Sequence, residues 1–374
     1  MRIGLDARFL THPQHGGFKR YVQGLVSGLA AVAHDHEIVL YVDRPPAQDA
    51  VPSRFQVRVV DGRLPLVGMP WREQVALTRT ARRDRLDVFH APCHTAPVRL
   101  AVPLVLTMHD TLWRTVRPWL PHPRRALLDR YYRVIAEGAA RRARVILTVS
   151  DASRRAICGL LPARDPRSIV AVSNAPWPGF RPGPDGSRSG VLALASADAR
   201  KNLPALLRAY ARIPVDVRRH HPLVTVWAHE SLTRAARHEA VRLGIEAEVR
   251  FLQQVDDHAL AALYQQTAAF VFPSTAEGFG LPVLEAMACG APVIASRDPA
   301  VVETAGGAAL LVDTDDTAAF GEALRRVLTD AACRTDLSRR GLERAARFSW
   351  VDTARVALDA YARAVSPAAS TRGH

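Results

Sequence analysis

Residues 270–293 read FVFPSTAEGFGLPVLEAMACGAPV, and this stretch decides the fold more than any other. An apolar strand leads into a short loop, then Gly-Phe-Gly, then a helix and a second strand. Because proline is favoured at the first helical position, the helix is predicted to start at Pro282. This succession is typical of doubly wound parallel α/β sheets, which bind ligands at the carboxyl edge of their strands.

Two glutamates lie around this glycine loop. Glu277 ends the loop, and Glu285, with seven residues between them, is predicted in the first turn of the helix. Gly278, Gly280 and the helix N-terminus offer backbone N–H groups that suit a phosphate. Each feature alone favours a structural interpretation, because glycines serve turns and glutamates complement a helix dipole. Together they favour a ligand site.

Composition sets the broad class. A chain of 374 residues exceeds one usual core, so two domains are expected. No run of about 18 apolar residues predicts a membrane span, and the start MRIGLDARFL reads as a strand rather than a signal peptide. Scattered cysteines predict buried thiols in a reducing compartment, hence a cytoplasmic protein. They are Cys93, Cys158, Cys289 and Cys333.

The net charge is unevenly distributed. Residues 1–178 hold 27 Lys+Arg against 14 Asp+Glu, a charge of +13, whereas the remainder holds 23 against 22, a charge of +1. Such a field attracts nucleic acid, anionic lipid or pyrophosphate-linked substrates. Nucleic acid is the least favoured partner, because no recognisable reading module is present.

Strand and helix patterns alternate along both halves, on either side of a proline- and glycine-rich linker at 174–190. We therefore predict an N-terminal domain over 1–178, a C-terminal domain over 179–349, and a final helix with a polar tail over 350–374. The predicted strands are Arg2–Asp6, Ile38–Val42, Gln56–Val60, Val88–His90, Leu104–Thr107, Val145–Val149, Ile169–Val172, Val191–Ala195, Leu223–Ala228, Val249–Leu252, Ala269–Phe272, Val293–Ala295 and Ala309–Val312.

Two further motifs point to a bound anion. Arg200 and Lys201 lie at a strand-to-helix turn, where cations oppose the helix dipole unless an anion sits between them. A diphosphate and two solvated surface charges are equally good interpretations of this pair. Gly16 and Gly17 open a helix and allow close backbone approach to a ligand. No Gly-x-Gly-x-x-Gly occurs, so the nicotinamide fingerprint is missing.

Histidines and aspartates supply the remaining candidates. His109 ends an apolar run at a strand's carboxyl edge, where it either serves a site or is satisfied by a backbone group. His90 and His94 are spaced as metal ligands, but we interpret them as cleft lining. The stretch Asp313-Thr-Asp315-Asp316 contains an Asp-x-Asp, which holds a metal in another fold, but we predict that it caps a helix. Ser150 or Asp151 is predicted to cap another helix.

The quoted segment, together with Arg-Lys-Asn-Leu at 200–203, resembles the signature of retaining, nucleotide-sugar-dependent glycosyltransferases of family 4, most of all bacterial mannosyltransferase B-type enzymes. The resemblance implies a GT-B architecture of two Rossmann-like domains facing a cleft, with the last helix crossing back to the first domain. It implies that the first domain binds the acceptor and that the second binds the nucleotide sugar. It implies that Glu277 borders the donor sugar, that Glu285 accepts hydrogen bonds from the ribose, and that His109 lies near the sugar. The donor-diphosphate and loop residues that it implies are Arg200, Lys201, Gly16, Gly17, Gly278, Phe279, Gly280 and Leu281.

The resemblance also implies a reaction. A hexose, with mannose from GDP-mannose favoured, moves with retention to a glycan or polyprenyl-diphosphate-linked oligosaccharide in bacterial cell-surface polysaccharide assembly, such as exopolysaccharide or lipopolysaccharide. Neither a metal nor a cofactor is expected. The alternatives are a nucleotide-sugar epimerase of the same fold and a non-catalytic sugar-nucleotide-binding partner.

Residues 112–144 combine basic and aromatic side chains. This pattern suits an anionic surface, which would place the protein peripherally at the inner face of the cytoplasmic membrane. An ordinary amphipathic helix with a solvated face explains the same pattern, and both interpretations stay open.

Overall fold

The computed structural model describes residues 1–12, 16–47, 51–62, 68–115, 123–184, 186–196, 198–226 and 230–366. The chain divides into two compact units. Unit 1 comprises Met1–Asn174 with Ser349–His374, and unit 2 comprises Ala175–Phe348. The ends of two predicted elements, the strand to residue 228 and the polar tail from residue 367, lie outside the described residues.

Unit 1 contains, in its described part, a seven-stranded parallel sheet of order β3-β2-β1-β4-β5-β6-β7. The strands are β1 Arg2–Asp6, β2 Glu37–Val42, β3 Gln56–Val59, β4 Val88–Ala91, β5 Leu104–Thr107, β6 Val145–Thr148 and β7 Ile169–Ala171. The helices are α1 Arg8–Thr11, α2 Gly17–Val32, α3 Gly68–Trp71, α4 Thr78–Arg83, α5 Leu112–Thr115, α6 Pro123–Arg142 and α7 Asp151–Leu160. A π-helical turn, Arg72–Leu77, joins α3 to α4.

Unit 2 contains, among its described residues, a six-stranded parallel sheet of order β10-β9-β8-β11-β12-β13. The strands are β8 Val191–Leu194, β9 Leu223–Val226, β10 Val249–Leu252, β11 Ala269–Phe272, β12 Val293–Ser296 and β13 Leu310–Val312. The helices are α8 Leu203–Ala211, α9 Val215–His220, α10 Glu230–Arg242, α11 Asp257–Gln266, α12 Leu281–Ala288, α13 Pro299–Ala305, α14 Thr317–Thr329 and α15 Ala331–Ala345.

The predicted fold class is confirmed, because both units have the doubly wound Rossmann-like order in which the strand sequence reverses beside the first strand. Central strands such as β11 are buried along their whole length, as parallel strands covered on both faces must be. Within the described residues, every helix is too short or too polar to cross a membrane.

The last helix, α16 (Trp350–Val365), belongs to unit 1 and packs on α2. Two glycines one turn apart on α2, Gly24 and Gly28, make room for Trp350. A Cβ added at Gly24 would lie 2.1 Å from the Trp350 ring, and one at Gly28 would lie 2.1 Å from the Trp350 carbonyl oxygen. The glycines therefore set how closely the two helices approach.

We predict that Gly24→Ala destabilises the protein. Alanine gains about 1 kcal/mol in helix propensity over glycine, but overpacking against a buried indole costs about 1–3 kcal/mol or more. Since the 2.1 Å clash is severe, the steric term should win and lower the melting temperature. Ser27→Ala, on the exposed side of the same helix, is the matched control and should change it little. A Gly24→Ala protein at least as stable as the wild type would contradict this packing.

Candidate functional site

The centre of the unit 2 site is an ion pair between two loops. β8 and β11 are neighbours where the strand order reverses, and the loops that follow them carry Lys201 and Glu277. Lys201 Nζ donates to Glu277 Oε1 at 2.6 Å, and Ser274 Oγ donates to the same oxygen at 2.5 Å. Among the described residues, Oε2 of Glu277 has no hydrogen-bond partner. That oxygen is available to a ligand.

Arg200 is held by groups of unit 2. Its Nε donates to Asp198 Oδ2 at 2.7 Å, and its Nη1 donates to the Ala276 carbonyl oxygen at 2.7 Å. Burial alone would raise the pKa of Asp198, but hydrogen bonds from Arg200 outweigh it and hold that pKa below its usual value. The protein itself therefore supplies negative charges for both cations, Asp198 for Arg200 and Glu277 for Lys201. The diphosphate role of Arg200 and Lys201 stays a prediction.

Asp298 contacts the candidate site but is not among the site residues predicted from the sequence. Its Oδ1 caps α13 by accepting from the backbone N–H groups of Ala300 and Val301, and its Oδ2 accepts from the Glu277 N–H at 3.4 Å. Burial, with the nearby charge of Glu277, raises the pKa of Asp298. The sequence does contain a pattern that predicts this cap, because an aspartate followed by a proline is typical of a helix start.

The glycine loop turns the chain into α12. Gly280 has φ = 93°, in the left-handed region, and the helix begins directly after it at Leu281. The prediction that it starts at Pro282 is wrong by one residue, because the glycine's conformation rather than the proline sets the turn. Glu285 consequently lies in the second helical turn, where it is 2% exposed. Burial, followed by the charge of Glu285, raises the pKa of Cys289 to about 12.

Phe279 and Leu281, both predicted to bind the donor, are buried in unit 2. The Phe279 ring packs edge-on against Phe348 at a centroid distance of 6.0 Å. Thr304 Oγ1 donates to the Phe279 carbonyl oxygen at 2.5 Å. These contacts fix the loop's path, and the donor contacts of both residues stay predictions.

Unit 1 brings the glycine pair and His109 together. Gly16 precedes α2 with φ = 144°, and a Cβ added at Gly16 or Gly17 would meet no described heavy atom within 4 Å. Among the described residues, no atom fills the space beside these two glycines. The next residue, Phe18, has its ring centroid 4.9 Å from that of His109.

His109 is a buried, neutral imidazole. Its Nε2 lies 2.8 Å from the Pro92 carbonyl oxygen, and a carbonyl only accepts, so Nε2 carries the proton and Nδ1 carries the lone pair. Burial, with the neighbouring His94, lowers the pKa of His109 to about 3. Nδ1 of His109 can thus accept a hydrogen bond, and the imidazole is uncharged near neutral pH.

The other histidine predictions need correction. His90 is 0% exposed and lies in the core, where its nitrogens bond Tyr361 at 2.7 Å and Thr107 at 2.8 Å. The interpretation of His90 as cleft lining is wrong, because its strand is covered by α16. His94 is also buried, at 1% exposed. The described residues hold no group of three or more metal-type ligands.

Both capping predictions are confirmed. Asp316 accepts from the backbone N–H groups of Ala318 and Ala319 at the start of α14. Ser150, rather than Asp151, caps α7 by accepting from the Ser153 N–H.

Comparison with known proteins assigns the family. Residues 181–344 match the family model of glycosyl transferases group 1, and residues 15–175 match that of glycosyltransferase family 4. O-antigen chain mannosyltransferase B of Escherichia coli is 32% identical over 307 residues, which cover 75% of this chain and 76% of the relative. The chain belongs to family 4 of the glycosyltransferases.

Two other relatives of this glycosyltransferase are also named mannosyltransferases. MMP alpha-(1->4)-mannosyltransferase of Mycolicibacterium hassiacum is 31% identical over 419 aligned residues, covering 99% of this chain and all of that one. The serotype-specific mannosyltransferase WbdA of Escherichia coli is 34% identical over 184 residues, which are 48% of this chain but 22% of that protein.

Solved structures share the fold. Sucrose-phosphate synthase from Thermosynechococcus elongatus has a TM-score of 0.78 at 20% identity, over 97% of this chain and 98% of its own. Anabaena Alr3699/HepE, solved with UDP and glucose, has a TM-score of 0.74 at 17% identity, over 96% and 99%. At these identities the likeness shows the GT-B fold alone.

The buried histidines predict an acid-sensitive unit 1. Burial lowers the pKa values of His90, His94 and His109 to about 3, below the ordinary value of 6.5. The unfolded chain therefore binds more protons than the folded chain below pH 6.5, and stability falls as pH falls. Each histidine contributes up to about 1.4 kcal/mol per pH unit. His109→Gln should reduce this slope between pH 6.5 and 5, as measured by urea unfolding.

As a control, the wild type and His109→Gln are compared between pH 7.5 and 8.5. There the free energy of unfolding should depend on pH equally in both proteins. If the unfolding free energy of His109→Gln falls with pH as steeply as that of the wild type between pH 6.5 and 5, His109 is charged in the folded protein, and the prediction is wrong.

Proposed function

We propose that this glycosyltransferase moves a hexose with retention from a nucleoside diphosphate sugar to a glycan or polyprenyl-diphosphate-linked acceptor in bacterial cell-surface polysaccharide assembly. The observation that carries the proposal is the Lys201–Glu277 pair at the point where the strand order of unit 2 reverses. The similarity to O-antigen chain mannosyltransferase B supports mannose, with GDP-mannose as the favoured donor.

Lys201 is the group proposed to hold the leaving diphosphate. An ammonium has three N–H donors, and Glu277 takes one of them, so the others can serve phosphate oxygens. Arg200 and the backbone of residues 278–281 at the start of α12 add further positive potential. In this proposal protein cations stabilise the departing phosphate, and no metal is required.

Glu277 is the group proposed to hold the donor sugar. Lys201 and Ser274 fix its Oε1, while Oε2 remains able to accept sugar hydroxyls. Asp298 caps a helix, so it is not a nucleophile paired with Glu277 as in a retaining hydrolase. Retention then requires the acceptor to attack from the leaving group's own face, with the phosphate taking its proton. In this proposal Glu285 accepts hydrogen bonds from the ribose hydroxyls, and the contact of His109 with the sugar stays an expectation from the family resemblance.

The two side chains of the Lys201–Glu277 pair are predicted to affect different quantities, nucleotide binding and turnover. Lys201→Met should weaken GDP binding about 10- to 100-fold, the effect of losing one charged hydrogen bond. Glu277→Gln removes a negative charge beside the diphosphate, so GDP should bind no more weakly, while GDP-mannose turnover falls at least about 100-fold. Calorimetry measures the first quantity and product formation the second.

Arg326→Met, an exposed charge loss on α14, is the control and should change neither quantity. Parallel titrations with UDP, dTDP and ADP identify the base. If none of these nucleotides binds the wild type, or if Lys201→Met binds its nucleotide normally, the proposed donor site is refuted. Turnover unchanged in Glu277→Gln refutes the role of that carboxylate.

We also propose a peripheral contact with anionic membrane through α6. Exposed Val134 (62%) and Leu128 (48%) lie on this helix among exposed arginines, including Arg133. Binding to vesicles with anionic lipid should fall as salt rises, and the double change Arg133→Glu with Val134→Ser should abolish it. Neutral vesicles are the control. Salt-independent sedimentation, or none, would contradict the contact.

A further inference from the structure

Two serines lie buried behind Glu277, at the ends of two paired strands of unit 2. Ser274 lies just after β11 and is 0% exposed, and Ser296 is the last residue of β12 and is 4% exposed. β11 and β12 pair in parallel, so the chain leaves both strands at the same edge of the sheet. Because a buried hydroxyl group needs a hydrogen-bond partner, the partners of these serines show which groups they hold in place.

The two hydroxyl groups form a short chain of hydrogen bonds that ends at Glu277. Ser296 Oγ donates to the Ser274 carbonyl oxygen at 2.5 Å, and Ser274 Oγ donates to Glu277 Oε1 at 2.5 Å. The directions are fixed, since a carbonyl oxygen and a carboxylate oxygen only accept. Ser274 is therefore held at its backbone by β12, and its side chain holds the carboxylate of Glu277.

The chain after β12 also holds the backbone of Glu277. Asp298 Oδ2 accepts from the Glu277 N–H at 3.4 Å, and the Asp298 N–H donates to Ser296 Oγ at 3.5 Å. Residues 296–298 thus support Glu277 at two points, through Ser274 at the carboxylate and directly at the main chain. The direction of Oε2, which accepts no hydrogen bond from the described residues, follows from these contacts.

A second donor on Oε1 gives the carboxylate a defined orientation. The ammonium of Lys201 is a compact charge on a flexible chain, and it attracts either oxygen of a carboxylate. The Ser274 hydroxyl group, fixed by the backbone contact with Ser296, selects one oxygen and so fixes the rotation of the carboxylate. Because both serines are buried, their effect on a ligand passes through Glu277.

We propose that Ser296 is a positioning residue for the glycosyl transfer, which acts through Ser274 to turn Glu277 Oε2 towards the hydroxyls of the donor sugar. This inference rests on the donor site proposed above, and it extends that site to the end of β12. Loss of the Ser296 hydroxyl group should reduce what the sugar contributes to donor binding. Binding of the nucleoside diphosphate alone, which is assigned to Lys201 and the backbone at the start of α12, should not change.

The test compares the binding of GDP and GDP-mannose to the full-length protein by calorimetry. Ser296→Ala and Ser274→Ala should each weaken GDP-mannose binding about 3- to 10-fold, the effect of losing one hydrogen bond, and leave GDP binding unchanged. Ser338→Ala is the matched control, because Ser338 Oγ on α15 donates in the same way to the Gly290 carbonyl oxygen at 2.7 Å. It should change neither quantity. If UDP is the nucleotide that binds the wild type, UDP and UDP-glucose replace the pair.

A second background separates positioning from a general loss of structure. In a protein that carries Glu277→Ala, Ser296→Ala should weaken GDP-mannose binding no further, because the carboxylate that it orients is gone. The proposal is overturned by GDP-mannose binding that is unchanged in Ser296→Ala, by equal weakening of GDP and GDP-mannose, or by weakening that persists beside Glu277→Ala.

Failure of the proposed function gives different results. A wild type that binds neither the nucleotide nor its sugar derivative refutes the donor site, and this inference with it. A wild type that binds GDP-mannose but transfers no mannose refutes the transfer alone, and the binding of the Ser296→Ala protein still decides whether Ser296 positions Glu277.

Discussion

The Lys201–Glu277 ion pair is the constraint on which the site in unit 2 depends. It joins residues 76 positions apart, and it can form only because the parallel order places β8 beside β11. Both side chains are largely buried, at 20% and 13% exposed, so the pair is less screened than a surface ion pair. The pair fixes Oε1 of Glu277, and Oε2 accepts no hydrogen bond from the described residues.

Both cations of this site are paired before any ligand binds. Arg200 is paired with Asp198, and Lys201 is paired with Glu277. Preorganised dipoles and charges of this kind stabilise a developing oxyanion without further reorganisation. A nucleoside diphosphate would then use the remaining donors of Lys201 and the backbone at the start of α12, rather than an excess of positive charge.

Unit 1 differs in character. Its predicted site residues, Gly16, Gly17 and His109, carry no charge near neutral pH, because burial lowers the pKa of His109. Its buried charges, Asp6, Arg8, Arg72 and Glu73, instead pair with one another. The two units therefore differ, with ion pairs at the candidate site of unit 2 and neutral groups at the predicted site residues of unit 1.

The sequence predicted the strands well, because buried parallel strands are continuous apolar runs such as Ala269–Phe272. It also located the glycine loop and the helix after it, since those signals are local. It could not show that Asp198 neutralises Arg200, because that contact depends on the conformation of a turn. The contact between Asp298 and Glu277 depends on the pairing of β11 with β12, and the burial of His90 depends on the C-terminal helix.

A double-mutant cycle on GDP-mannose turnover tests the central claim most directly. It compares kcat/KM for the wild type, Lys201→Met, Glu277→Gln and the double variant. If the two side chains act as one unit, the double variant should lose little more than the worse single variant, with a coupling energy of at least about 1 kcal/mol. Losses that simply add would contradict the account, because they would show that Lys201 and Glu277 act independently.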